Sequence, residues 1–129
     1  MEQTLKNKQT VIQLFDLMFN QNRVKEAIDK YISDEFIEHS PYMADGKEAL
    51  IGYFERMAEE YPDKRVTIKR AIAEGDYVVL HCHQEWPGSK ERHLAAIDIF
   101  RMNEEGRVAE HWDVIQAIPD KKVNINPVF

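Results

Sequence analysis

From Tyr77 to Ile118 the chain reads YVVLHCHQEWPGSKERHLAAIDIFRMNEEGRVAEHWDVIQAI. Runs rich in β-branched and aromatic residues alternate there with short polar stretches built on Gly, Pro and Asn, the pattern of successive strands and turns. Three strands follow, over Tyr77–Trp86, Arg92–Met102 and Val108–Ile118, joined by Pro87–Lys90 and Asn103–Gly106. A fourth lies just upstream at Arg65–Ala73, turning at Gly75-Asp76. Hairpin connections make the sheet antiparallel, and strands of about ten residues exceed the usual five or six, so the sheet must twist and curl.

The first half of the chain is written differently. Between Thr4 and Asn20, Val11, Leu14, Phe15 and Met18 stripe one side of a helix. A second helix carries Val24, Ala27, Ile28 and Tyr31 after Asn22, a residue type suited to an N-cap. An extended piece, Phe36–His39, stops at Pro41. Asp45-Gly46-Lys47-Glu48 has the form of a capping box and opens a third helix, with Leu50, Tyr53, Phe54 and Met57 on one side, closed by Pro62. Three helices and then a curved antiparallel sheet define an α+β fold, with the helices filling the concave side. At 129 residues and 43% hydrophobic content, the expectation is one domain over 1–129, with 119–129 as a C-terminal arm docking on this or a neighbouring subunit.

Charge narrows the partners. Seventeen basic and 23 acidic residues leave a net −6 with no basic stripe, which argues against nucleic acid. No apolar run approaches the roughly 20 residues of a membrane span. The single cysteine, Cys82, allows no internal disulfide. With no signal-peptide pattern in MEQTLKNKQT, the expectation is a cytoplasmic protein.

Alternation along strands decides where the polar residues point. If both connecting loops are of even length, His81, His83, Asp98, His111 and Asp113 gather on the helix-facing side among Tyr77, Phe100 and Ile115. A polar cluster set in apolar surroundings is either a structural network or a site for chemistry. As chemistry, Asp113 or Asp98, made more basic by burial, removes a proton next to a carbonyl, and His81, His83 or His111 stabilises the enolate. His39 closes the pocket from the helical side, and Tyr77, Phe100 and Ile115 complete the substrate contacts. The spacing His81-Cys82-His83 also permits two imidazoles on one metal, completed by His111 with Asp98 or Asp113. His93 falls on the other face, as do Trp86 and Trp112 with Leu80, Ile97, Ile99 and Val114. Such an apolar outer face would be covered in a homodimer packed sheet on sheet. A non-catalytic small-molecule binding protein is the alternative from another functional class.

The segments Tyr31–Pro41, Ala96–Arg101 and Glu110–Gln116, the last containing His111-Trp112-Asp113, resemble the SnoaL-like polyketide cyclase group of the nuclear transport factor two-like superfamily. The resemblance implies a cone-shaped α+β fold with a deep pocket between sheet and helices, a homodimer through the outer sheet face, and acid–base aldol chemistry with no metal and no organic cofactor. The group's catalytic aspartate matches Asp113, and its pocket histidines match His81, His83 and His111 loosely.

Overall fold

The N-terminal stripe forms α1 (Glu2–Phe15), which runs directly into a π-helical turn at Asp16–Asn20. The computed structural model describes all 129 residues, Met1–Phe129. The π turn ends the helix within side-chain bonds: Asp16 accepts from Asn20 and Gln21, and Asn20 exchanges two hydrogen bonds, of 3.1 and 2.8 Å, with the backbone of Val66. This wider turn carries Met18 and Phe19 into the core, where both are buried, as insertions of this kind do near functional pockets.

α2 (Val24–Tyr31) and α3 (Lys47–Glu60) pack beside it, and the strands are β1 (Ile32–Glu38), β2 (Arg65–Glu74), β3 (Tyr77–Glu85), β4 (His93–Met102) and β5 (Val108–Ala117). Neither expected cap forms as the sequence suggests. Arg23, not Asn22, precedes α2, and Asn22 takes a left-handed φ of 56°. Gly46, at φ 99°, precedes α3. The Asp45 carboxylate turns away from its own helix and accepts the backbone N–H of Glu38 at 2.8 Å.

The sheet order is β1-β5-β4-β3-β2. β2 to β5 are antiparallel neighbours as expected, but β1 adds a fifth strand, parallel to β5. The sheet is therefore mixed. Register shifts between Ile68 and Arg70 and between Arg101 and Met102 mark bulges, which increase the local twist and curl the sheet around the helices. Twenty-two buried residues from helices and strands form the core between the two layers.

Lys64, in the connection after α3, is 2% exposed with no carboxylate beside it. Its Nζ donates to the Phe19 carbonyl at 3.0 Å and to the Asn22 side chain, closing the end of the π turn. Burial holds this ammonium down to about 8. A lysine depressed in the folded state binds fewer protons than in the unfolded chain, so its burial is costly below pH 8 and that cost fades as pH rises from 8 toward 10.5.

One register differs from the even-loop expectation and moves two of the five residues of the anticipated cluster. Glu85 pairs with His93, so seven residues separate the strands and the loop is odd. The reason is Trp86, which turns inward to pack edge-on against Phe19 and Tyr61, at 5.2 and 5.5 Å between ring centroids. With it, Val78, Leu80, Cys82 and Gln84 face the core and are all buried. His81 and His83 consequently lie on the outer face of the sheet.

Candidate functional site

Between the concave face and the helices lies a cavity of about 450 Å³, lined by 26 residues of which 18 are hydrophobic. α1 and the π turn contribute Phe15 and Phe19, α3 contributes Tyr53 and Phe54, and β5 contributes His111, Asp113 and Ile115. The β4–β5 register places Asp98 opposite Asp113 and Phe100 opposite His111. Asp98, His111, Asp113, Phe100 and Ile115 therefore share the pocket, although the connection itself, residues 103–107, is odd: the bulge between Arg101 and Met102 restores the expected alternation.

At its floor sits a polar device to which strand parity assigned Asp98 and His111 but not Glu38. His111 donates to two carboxylates at once: Nδ1 lies 2.6 Å from Glu38 Oε1 and Nε2 lies 2.8 Å from Asp98 Oδ1. Glu38 comes from the end of β1, where the parallel pairing sets it beside His111. The side chains of all three are 8% exposed or less. Burial alone would push an imidazole toward neutrality, but the hydrogen bonds and charges of Asp98 and Glu38 outweigh it and raise His111 to about 10. Both nitrogens then carry protons, so the ring is an imidazolium with no lone pair to offer.

Asp113 is half-buried beside this unit. Its carboxyl is raised above the ordinary value, chiefly because burial penalises the charge, while His111 and the Ser40 side chain oppose the rise. Oδ1 is buried without a hydrogen-bond partner, as are Glu38 Oε2 and Asp98 Oδ2. Tyr53, which also lines the cavity, has its phenol raised by burial and by the charge of Asp113. It remains a protonated donor across the physiological range.

The other anticipated site residues do not enter the pocket. His39 is exposed, stacks flat on Trp112 with ring centroids 4.7 Å apart, and contacts Glu110 Oε2 through Nε2 at 2.7 Å. Tyr77, 45% exposed, lies on the same outer side near Trp112. His81 contacts Arg70, and His83 Nε2 lies 3.0 Å from His93 Nδ1. His93 is thus outside the pocket as expected, but on the same face as His81 and His83. Phe129, at the end of the C-terminal arm, stacks on His83 at 4.8 Å, so the arm docks on the outer face of its own sheet. Trp112, Ile97 and Val114 face outward as anticipated, whereas Trp86 and Leu80 are interior.

These placements revise the metal reading. Cys82 points into the core between two outward histidines, and burial pushes its thiol up, so the His-Cys-His segment offers no common set of ligands to the cavity. Ligand atoms of Asp98, His111 and Asp113 do lie within 4.8 Å of one another, but both nitrogens of His111 are committed to carboxylates.

A family model describing the SnoaL-like domain matches residues 11–111. The chain belongs to the SnoaL-like family. No curated protein matches the chain in sequence. Among solved structures, this SnoaL-like chain is similar to TsrD from Streptomyces laurentii, at 24% identity over 84% of this chain and 87% of that one with a TM-score of 0.71. It is also similar to a proposed SnoaL-like polyketide cyclase from Jannaschia sp. CCS1, at 19% identity, 87% and 86% coverage and a TM-score of 0.73. A proposed isomerase of the SnoaL-like family from Agrobacterium tumefaciens str. C58 shares 17% identity over 90% and 99%, with a TM-score of 0.69. At these identities the likeness establishes the fold. No helix of the SnoaL-like chain is long and apolar enough to cross a membrane.

Proposed function

We propose that this chain is a small-molecule lyase or isomerase working by acid–base chemistry, with Asp113 as the base that removes a proton α to a carbonyl. The observation that carries this reading is the unpartnered, buried Oδ1 of Asp113 on the wall of an apolar cavity. Burial raises the basicity of this carboxylate toward the range useful for proton transfer near neutrality. Asp98, the other candidate base, is engaged by His111 through Oδ1 and serves as one of its two holders.

In the proposed step the α C–H bond breaks, Asp113 takes the proton, and the electron pair moves onto the carbonyl oxygen as an enolate. The Tyr53 hydroxyl, on the cavity wall, is the donor proposed for that oxygen. Return of the proton to a different carbon, or to the other face, gives isomerisation; attack of the enolate carbon on a second carbonyl leaves an alkoxide, and its protonation by Asp113 completes an aldol cyclisation. Proton transfer between side chain and substrate is sufficient for either outcome, so the proposal calls on no metal or organic cofactor. Similarity to structures described as cyclases and isomerases of this family supports the reaction class.

The test needs no knowledge of the natural substrate. 2-Tetralone, an apolar bicyclic ketone with exchangeable α protons, is incubated with the protein in deuterated buffer and followed by proton NMR. The expected result is deuterium wash-in above the buffer rate. No acceleration, with saturable binding of the ketone, would replace the catalytic reading by that of a binding protein.

The same proposal includes a cytoplasmic homodimer. Ile72, Tyr77, Ile97 and Val114 are 45–73% exposed on the outer sheet face, an apolar surface of the kind that marks an interface. Sedimentation should give twice the chain mass, and Val114→Glu, which places a charge in that face, should return the species to one chain. A wild-type protein sedimenting as a monomer at micromolar concentration would remove the dimer.

A further inference from the structure

The cavity has an unbalanced charge. Four carboxylates, Glu38, Glu91, Asp98 and Asp113, are among its 26 lining residues, against one basic group, His111, and neither lysine nor arginine is present. His111 balances at most one of the two carboxylates that hold it. The three oxygens left buried and unpartnered, Glu38 Oε2, Asp98 Oδ2 and Asp113 Oδ1, are all hydrogen-bond acceptors. Neither nitrogen of His111 is free to serve them, and Trp86 Nε1 donates to Gln84 Oε1 at 3.0 Å.

We infer that the pocket selects an apolar molecule whose buried polar end is a hydrogen-bond donor, a hydroxyl or an ammonium, and that it rejects molecules carrying a carboxylate or phosphate. This rests on the reading that the cavity is the working site and specifies the class of ligand that site takes. A buried acceptor without a partner is costly, and a donor supplied by the ligand removes that cost. An anion would meet like charges in a low-dielectric setting with no cation to pair with. An ammonium gains the converse attraction, and aromatic walls that include Phe19, Tyr53 and Trp86 favour a cation over their faces. A substrate of this class would combine a ketone at the Tyr53 side with a hydroxyl or amine directed at the acidic floor.

Isothermal titration calorimetry at pH 7.5 with three molecules of matched shape tests the inference. They are 2-(2-naphthyl)ethanol, 2-(2-naphthyl)ethylamine and 2-naphthaleneacetic acid. The alcohol and the amine should bind, with the acid at least about tenfold weaker than either. In Asp113→Asn, which removes one acceptor charge while keeping the side-chain shape, the gap between amine and acid should narrow. Binding of the acid as tightly as the alcohol or amine would overturn the inference, as would failure of all three to bind. The readout involves no turnover. Donor-selective binding without ketone exchange would sink the catalytic reading alone, and ketone exchange without head-group selectivity would sink only this one.

Discussion

His111→Ala is expected to destabilise the fold by about 3–5 kcal/mol at pH 7, the cost typical of removing one partner from a buried ion pair. The substitution leaves Glu38 and Asp98 facing each other in the protein interior with no counter-charge. Urea denaturation of the variant against wild type measures it. Because a cavity also contributes to the loss, a triple variant that adds Glu38→Gln and Asp98→Asn separates the causes. Recovery of part of the stability identifies unpaired charge as the larger cost, and no recovery would identify packing.

The same difference depends on pH, with a determinate sign. His111 is raised from 6.5 to about 10 by its carboxylates. A cation favoured by folding contributes fully below the unfolded value and loses its contribution as pH climbs through the folded one. The gap between wild type and His111→Ala should therefore be widest below pH 6.5 and shrink toward pH 10. Lys64 acts in the opposite sense between 8 and 10.5. It is common to both proteins, so the difference between them isolates His111.

Asp113→Asn is expected to reduce deuterium wash-in to 2-tetralone by about 10²–10⁴-fold, the range over which a positioned base contributes to a proton transfer. Its fold should be unharmed or slightly stabilised, since burial already disfavours the charge the substitution removes. In wild type the exchange rate should rise with pH as Asp113 loses its proton, with a midpoint above the ordinary carboxylate value of about 4. Exchange in Asp113→Asn at the wild-type rate would pass the role to another group.

Much of the architecture was legible because its signals are local. The helical stripe, the Gly75 and Gly106 turns and the four long strands each follow from short-range spacing. Glycine at both turns takes a left-handed φ, 57° and 75°, which other residues adopt at a cost. β1 was harder to read as a sheet strand because its pairing with β5 is parallel and distant in sequence. The pocket divides along the same line. Asp98, His111 and Asp113 come together because the bulge between Arg101 and Met102 offsets the odd β4–β5 connection and restores the alternation. His81 and His83 fall outside because Trp86 makes the β3–β4 connection odd.

A signal for that second register was present in β3 itself. Val78, Leu80, Cys82 and Trp86 form a more apolar face than Tyr77, Val79, His81, His83 and Glu85, and the more apolar face belongs inside. Glu38 carried no comparable warning, because an isolated acid on a short extended segment usually faces water. Only the return of β1 alongside β5 gives it a buried partner. Tyr53 lay on the apolar side of α3, where a tyrosine reads as packing until an acid is found across the cavity.

The proposed chemistry requires His111 to be a fixed imidazolium, held by Glu38 and Asp98, so that Asp113 is the carboxylate left free to react. Nitrogen-15 NMR of histidine-labelled protein, with His111 assigned through the loss of its signals in His111→Gln, observes that state directly. Both ring nitrogens of His111 should keep protonated imidazolium shifts from pH 6 through pH 8. A change to neutral-imidazole shifts between pH 6 and 7 would contradict the account.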